Sequence, residues 1–329
     1  MQCKLSTLSD NILMKKLLSI KKIILIVLFI AAAINFPTPV LSASHHGNGK
    51  ENSTYVNALI KGLSIRDVID QGISMDTVSG PTTDVPWLND SEFTEACKKN
   101  GTGVLLGGYK AVLRDPLPGE EYNVHLAASK LAGIVVKQGQ VFSQNQSIGP
   151  YTEDKGFRKG PTYFGTMLTT TIGGGVCKIA STLYNVAVMS NLTIVERHNH
   201  TMPVPYVPYG QDATVAYGAK DFKFRNDTGD DIMIWAKGVD NILYMAIYGK
   251  QPGPRIEWTH EVLEIREAPF QYKTNPDLVP GSQRVVVEGM DGALIKSWVT
   301  ITTDGESKVK YMGISDYKPM PYLIEKGSS

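Results

Sequence analysis

Apolar residues recur at spacings of three and four through Val124, Leu126, Ala127, Leu131, Ile134 and Val135, and the pattern stops at Gly139. That spacing lays one apolar stripe along a helix and predicts a helix over 122–136. A second stripe of Val176, Ile179, Ala180, Leu183 and Ala187 predicts a helix over 176–189. Cys177 falls beside this stripe, in line with Ser181, Tyr184 and Val188, on a face expected to border a cleft. Between the two, residues 140–143 begin a short strand before the Gly149-Pro150 turn. Beyond the second helix the period shortens to two. Residues 192–196, 214–217, 222–224, 232–236 and 243–248 alternate like strands of an antiparallel sheet. Helices followed by a run of strands indicate an α+β fold, two helices packed on an antiparallel sheet, rather than a βαβ nucleotide fold.

This core is expected over 101–250. After Pro252-Gly253-Pro254, residues 255–329 read as a small all-β module, with strand-like runs at 285–287, 297–301 and 308–311 and glycines at or near the turns. Residues 44–100 are polar and read as a linker with a small extension, inside which 91–99 is a polar helical stretch. The first 43 residues carry Lys15, Lys16, Lys21 and Lys22, then an apolar run over 23–34, then Pro37, Pro39 and the small residues Ser42 and Ala43. A basic region, a short apolar region and small residues make a signal peptide, cleaved after Ser42 or Ala43. The run is short for a membrane span, so contact with the membrane is expected only through this segment if it stays uncleaved.

With that segment set aside, the formal charge changes sign. The whole chain is +1, but residues 44–329 hold 28 basic against 31 acidic residues. No nucleic-acid partner is implied. Export also changes how the cysteines read, because Cys97 and Cys177 alone remain after cleavage. Two cysteines outside a cell often pair. Cys97, however, sits in the polar helical stretch, far from the glycine turn that carries Cys177.

The candidate chemistry gathers around Gly173-Gly174-Gly175-Val176-Cys177, followed by Glu196-Arg197-His198-Asn199-His200. The glycines allow a tight turn, and the cysteine falls in the first helical turn, where free N–H groups and the helix dipole favour a thiolate. His198 or His200 would be its base, with Asp212 or Asp221 orienting the ring. Gly174, Gly175, Ser181, Tyr184 and Arg197 are the candidate substrate-binding residues. The same atoms allow a zinc site of Cys177, His198 and His200, since residues two apart on a strand share a face. They also allow a purely structural turn, with a buried cysteine acting as a small hydrophobe. No cofactor is expected. His125 is expected to be a satisfied surface or core residue of its helix, His260 and the pair His45-His46 have no evident partners, and core packing is the expectation for Trp235.

These residues resemble the VanW family over about 104–248. The matching blocks are Asn123…Leu126-Ala127-Ala128, Gly139-Gln140-Val141-Phe142-Ser143, Gly149-Pro150, the Gly173–Cys177 turn with Ser181-Thr182-Leu183-Tyr184-Asn185, then Glu196–His200, Asp212-Ala213-Thr214-Val215 and Asp221-Phe222. The resemblance implies secretion or membrane tethering in a Gram-positive bacterium and carries no agreed activity. Lys178 stands where the family has Gln, Gln144 replaces a usual aromatic and Thr201 a common Ser. If that Gln donates to an oxyanion, this copy lacks the donor. The tail resembles the glycine-named wall-associated module found beside VanW domains, which implies adhesion to peptidoglycan or another wall polymer. Cysteine, then histidine, then a polar residue is also the chain order of papain-like and NlpC-like hydrolases, an analogy of arrangement. Together these readings suggest a cysteine-dependent peptidoglycan amide hydrolase or transpeptidase, with a non-catalytic wall-binding scaffold as the alternative.

Overall fold

The computed structural model describes residues 78–113, 119–164 and 167–328. The expected signal peptide and the pair His45-His46 lie outside the described residues, as does most of the expected linker. The elements run β1 (Gly80–Pro81), α1 (Ser91–Asn100), β2 (Val104–Val112), α2 (Glu120–Leu131), β3 (Ile134–Val136), β4 (Val141–Ser143) and α3 (Gln144–Ile148). Then follow β5 (Lys159–Phe164), β6 (Met167–Ile172), α4 (Cys177–Met189), β7 (Thr193–Glu196), β8 (Lys223–Arg225), β9 (Ile232–Val239) and β10 (Ile242–Gly249). The tail holds β11 (Arg255–Arg266), β12 (Phe270–Asn275), β13 (Gln283–Val287), β14 (Gly292–Thr303), β15 (Glu306–Tyr317) and β16 (Tyr322–Gly327).

A five-stranded antiparallel sheet, ordered β1-β2-β10-β9-β3, is the platform. Alternation along β9 and β10 sends Ile232, Ile234, Ala236, Leu243, Met245 and Ile247 into the main core, where α2 and α4 pack. The intervening Met233, Trp235, Ala246 and Tyr248 face Val85, Trp87 and Phe93, the last of these from α1. Trp235 is thus a core residue, edge-on to Phe93 at 5.2 Å. The α+β architecture anticipated from the periodicity is present, with a third helix closing the second face. Cys97, on α1, and Cys177 are both free thiols.

Three local expectations change. The helix expected over 122–136 stops at Leu131, because Gly133 takes φ +84° and its N–H bonds the Ile234 carbonyl, turning the β-branched residues 134–136 into an edge strand. The strand expected over 214–217 is an extended segment with a single bridge, Ala216 to Lys220. Its start is held by a side chain instead, since Ser181 Oγ bonds both the N–H and the C=O of Ala213 at 2.9 Å. On α4 the residues from Ile179 to Val188 are all buried, so Ser181, Tyr184 and Val188 do not border a cleft.

The tail forms two three-stranded sheets, β11-β14-β15 and β12-β16-β13. The first is not detached from the core. Val299 belongs to the main core, Ile256, Trp258 and Ile301 pack against it, and Trp258 meets Tyr184 of α4 edge-on at 5.7 Å.

A candidate thiol site at the start of α4

The glycine turn places Cys177. Gly174 passes so close to Gly160 that a Cβ there would stand 2.2 Å from that residue's backbone, and its carbonyl accepts from Asn123 Nδ2 of α2 at 2.9 Å. Gly175 adopts φ +103°, a conformation that side chains resist. Both glycines serve the turn's packing. The Val176 N–H bonds the Gly173 carbonyl at 3.2 Å and the Lys178 N–H bonds the Gly175 carbonyl at 2.9 Å. The Cys177 N–H between them has no acceptor among the described residues, which leaves a donor at the positive end of α4 beside the sulfur.

Around the thiol, Thr214 Oγ1 lies 3.4 Å from Cys177 Sγ and the Val215 carbonyl 3.6 Å away. Of the neighbouring groups, His200 exerts the largest pull on the sulfur toward the thiolate. His200 Nδ1 lies 2.6 Å from Asp212 Oδ2, and the His200 backbone N–H donates to the same oxygen at 2.6 Å. With Nδ1 taken, Nε2 is the nitrogen left to serve the sulfur. Asp212 is 1% exposed at its side chain, and its other oxygen accepts from Arg197 Nη2 at 2.9 Å and from the Tyr317 hydroxyl at 2.5 Å. Arg197 is fixed in turn by the Asp212 carbonyl at 2.7 Å and by Ser315 Oγ at 2.9 Å.

These contacts set the charges. Burial alone would push the Cys177 thiol up, but His200, Thr214 and the Val215 carbonyl together favour the thiolate and bring the thiol down to about 7. Burial would lower His200, yet Asp212 and Cys177 raise it to about 9. Burial would raise Asp212, while His200, Arg197 and Tyr317 hold it at about 2. Between the first two values the pair is a thiolate and an imidazolium. Cys97 has no such neighbour among the described residues, and burial pushes it up.

The other sequence-predicted residues fall elsewhere. His198 spends its ring on Glu196 Oε1 at 3.0 Å and is not among the groups that act on Cys177. Asp221 accepts from Ser143 Oγ at 2.5 Å and from the N–H groups of Asn145 and Phe222, a local bracing role. Ser181 and Tyr184 are buried, and the Tyr184 ring lies under Arg197, 5.1 Å from its guanidinium carbon. Arg197 acts on Asp212 rather than on open surface. Among the described residues no three His, Cys, Asp or Glu side chains are placed to hold a metal ion, and the zinc arrangement lacks His198. Lys178, in the position of the family Gln, pairs with Glu120 and stands 5.0 Å from the Tyr206 ring.

Residues 119–248 match the family model described as VanW like protein. This part of the chain is VanW-like. The matched residues include Cys177, His200 and Asp212. The chain is 36% identical over 143 residues to the uncharacterized protein YoaR of Bacillus subtilis strain 168, covering 44% of this chain and 47% of YoaR. It is 34% identical over 137 residues to the vancomycin B-type resistance protein VanW of Enterococcus faecalis, covering 40% of this chain and 50% of that protein. The chain therefore spans about half the length of each of these relatives. Among solved structures it is similar to the G5 domain of IgA1 protease, at 24% identity and a TM-score of 0.16, over 25% of this chain and 99% of that domain.

Four residues around the site carried no signal in the sequence. Thr214 lay inside a recognised block but carried no chemical signal of its own. Tyr317 and Ser315 come from the tail, beyond the domain match, and no spacing pointed to them. His260, read as partnerless, bonds Gln211 Nε2 and Ser297 Oγ, each at 2.9 Å. Burial and the Arg197 charge lower it to about 4, so it sits neutral beneath the site.

Proposed function

We propose that this is a secreted cell-envelope protein whose VanW domain uses Cys177 to cleave or exchange an amide in the peptide stems of peptidoglycan. The observation that carries the reading is the Cys177 thiol at a helix start, acted on by a His200 ring whose Nδ1 lies 2.6 Å from the buried Asp212 carboxylate. The Cys177 thiolate attacks the amide carbonyl, and the helix-start N–H of Cys177 faces the charge that develops on oxygen. The C–N bond breaks, His200 gives its proton to the departing amine and a thioester to Cys177 remains. Water or a second amine then attacks the thioester as His200 takes a proton from it. The C–S bond breaks, and the thiolate returns beside the imidazolium. Asp212 keeps Nδ1 protonated throughout and thereby sets which nitrogen serves the sulfur. The proposed setting rests on the basic-then-apolar N-terminus, and the wall as substrate on the family resemblance of the core and tail.

Incubating the protein with purified peptidoglycan and mass-analysing the soluble products tests this. New stem-peptide fragments or exchanged cross-links are expected, and Cys177→Ala should abolish them. Identical products from the native and Cys177→Ala proteins would contradict the cysteine mechanism. Co-sedimentation with the wall but no products from either protein would favour the scaffold reading.

A further inference from the structure

The end of β15 runs along the segment that carries both histidines. Arg197, Asn199 and Thr201, alternate residues of that segment, are each tied to it or to Lys318 just beyond it. Arg197 Nη1 donates to Ser315 Oγ at 2.9 Å, Asn199 Nδ2 donates to the Asp316 carbonyl at 3.1 Å, and the Thr201 carbonyl accepts the Lys318 N–H at 2.8 Å. Tyr317 reaches furthest in. Its hydroxyl donates to Asp212 Oδ1 at 2.5 Å and accepts the Gly210 N–H at 2.8 Å, while its ring, 1% exposed, packs edge-on against Tyr209 at 5.3 Å.

The two Asp212 oxygens have different duties. Oδ2 takes both bonds from His200, and Oδ1 takes Arg197 and Tyr317. A carboxylate held on one oxygen alone can turn about its side-chain bond, which would carry Oδ2 out of the His200 plane. Donors on Oδ1 from two directions prevent that turn, and burial makes each worth more than it would be in water. The family match ends at residue 248, so this hydroxyl comes from outside the matched domain.

We propose that the C-terminal module is a working part of the thiol site, with Tyr317 as the positioning residue that fixes the Asp212 carboxylate against His200. This rests on the cysteine reading above. It assigns the tail a role besides any adhesion, because the relay is complete only when β15 is docked.

The test is the pH at which Cys177 is half-maximally alkylated by iodoacetamide in the full chain, with peptide mapping to separate the cysteines. In Tyr317→Phe that midpoint should rise by about one unit, because His200 loses its oriented carboxylate. Ser315→Ala, which frees one arm of Arg197, should move it the same way by less. Tyr209→Phe is the control, since it removes another hydroxyl that bridges loop and module, to the Asp291 carbonyl at 2.6 Å, without touching Asp212. Its midpoint should match the native protein. An unshifted Tyr317→Phe, or a Tyr209→Phe shift of equal size, would overturn the positioning role while leaving the cysteine reading intact. A native midpoint at the ordinary thiol value of about 8.5 would remove both.

Discussion

Asp212–His200 and Glu196–His198 are both carboxylate–histidine pairs whose histidines lie two residues apart on one segment, and their surroundings separate them. The Asp212 and His200 side chains are 1% and 19% exposed, whereas those of Glu196 and His198 are 30% and 41% exposed. Asp212 answers to His200, Arg197 and Tyr317 inside the protein. Glu196 is held down to about 2 chiefly by Lys223, with burial opposing and His198 adding a smaller pull, on a face that water reaches. The first pair transmits charge to a thiol, while the second decorates a strand end. Chemical identity was the same in both. In the proposed mechanism, burial and the third partner select His200 over His198.

The sharpest way to break this comparison is to remove each ring in turn. His200→Ala should lower release of peptidoglycan fragments about 10²–10⁴-fold, the usual contribution of a positioned acid–base group. His198→Ala should leave release unchanged. Equal losses in the two variants would mean that the pairs are not functionally distinct.

A smaller difference is expected in stability. Asp212→Ala leaves Arg197 buried without its carboxylate and the Tyr317 hydroxyl without its acceptor, at a cost of about 3–5 kcal/mol in denaturant unfolding. Glu196→Ala breaks partly exposed pairs and should cost about 1 kcal/mol or less. Similar costs would indicate that the Asp212 network is as open to water as the Glu196 one.

The pH profile of fragment release should show the mildest effect. Below about 7 the Cys177 thiol is protonated and the nucleophile is lost. Above about 9 His200 is neutral and has no proton for the departing amine. Activity should rise through the first value and fall through the second. In Glu196→Ala both limbs should stay in place. A profile whose limbs move with Glu196 would assign the titration to the wrong pair.

How far the sequence revealed this site varies by residue. The helix over 176–189 was legible because its apolar stripe has no competing period, and the glycine run marked the turn that places Cys177 at its start. The antiparallel strands over 232–249 were legible for the same reason. β2 was not, because Gly107 and Gly108 interrupt its alternation. Choosing between the histidines was beyond the spacing argument, since β7 ends at Glu196 and the following residues leave the strand geometry that would have put both rings on one face. Ser181 and Tyr184 lay on the expected face of α4, but Ala213 engages the first and Trp258 of β11 packs on the second. Tyr317 is 105 residues from Asp212 and could only be found in three dimensions.

Whether Cys177 is a thiolate held by His200 is measured most directly by the rate of its alkylation against pH in the intact protein. The expected result is labelling that reaches half its maximum near pH 7, while Cys97, pushed up by burial, stays unreacted until well above that. In His200→Ala the Cys177 midpoint should climb toward the ordinary value of about 8.5. Labelling of Cys177 and Cys97 in parallel, or labelling of Cys177 only after unfolding, would contradict the account.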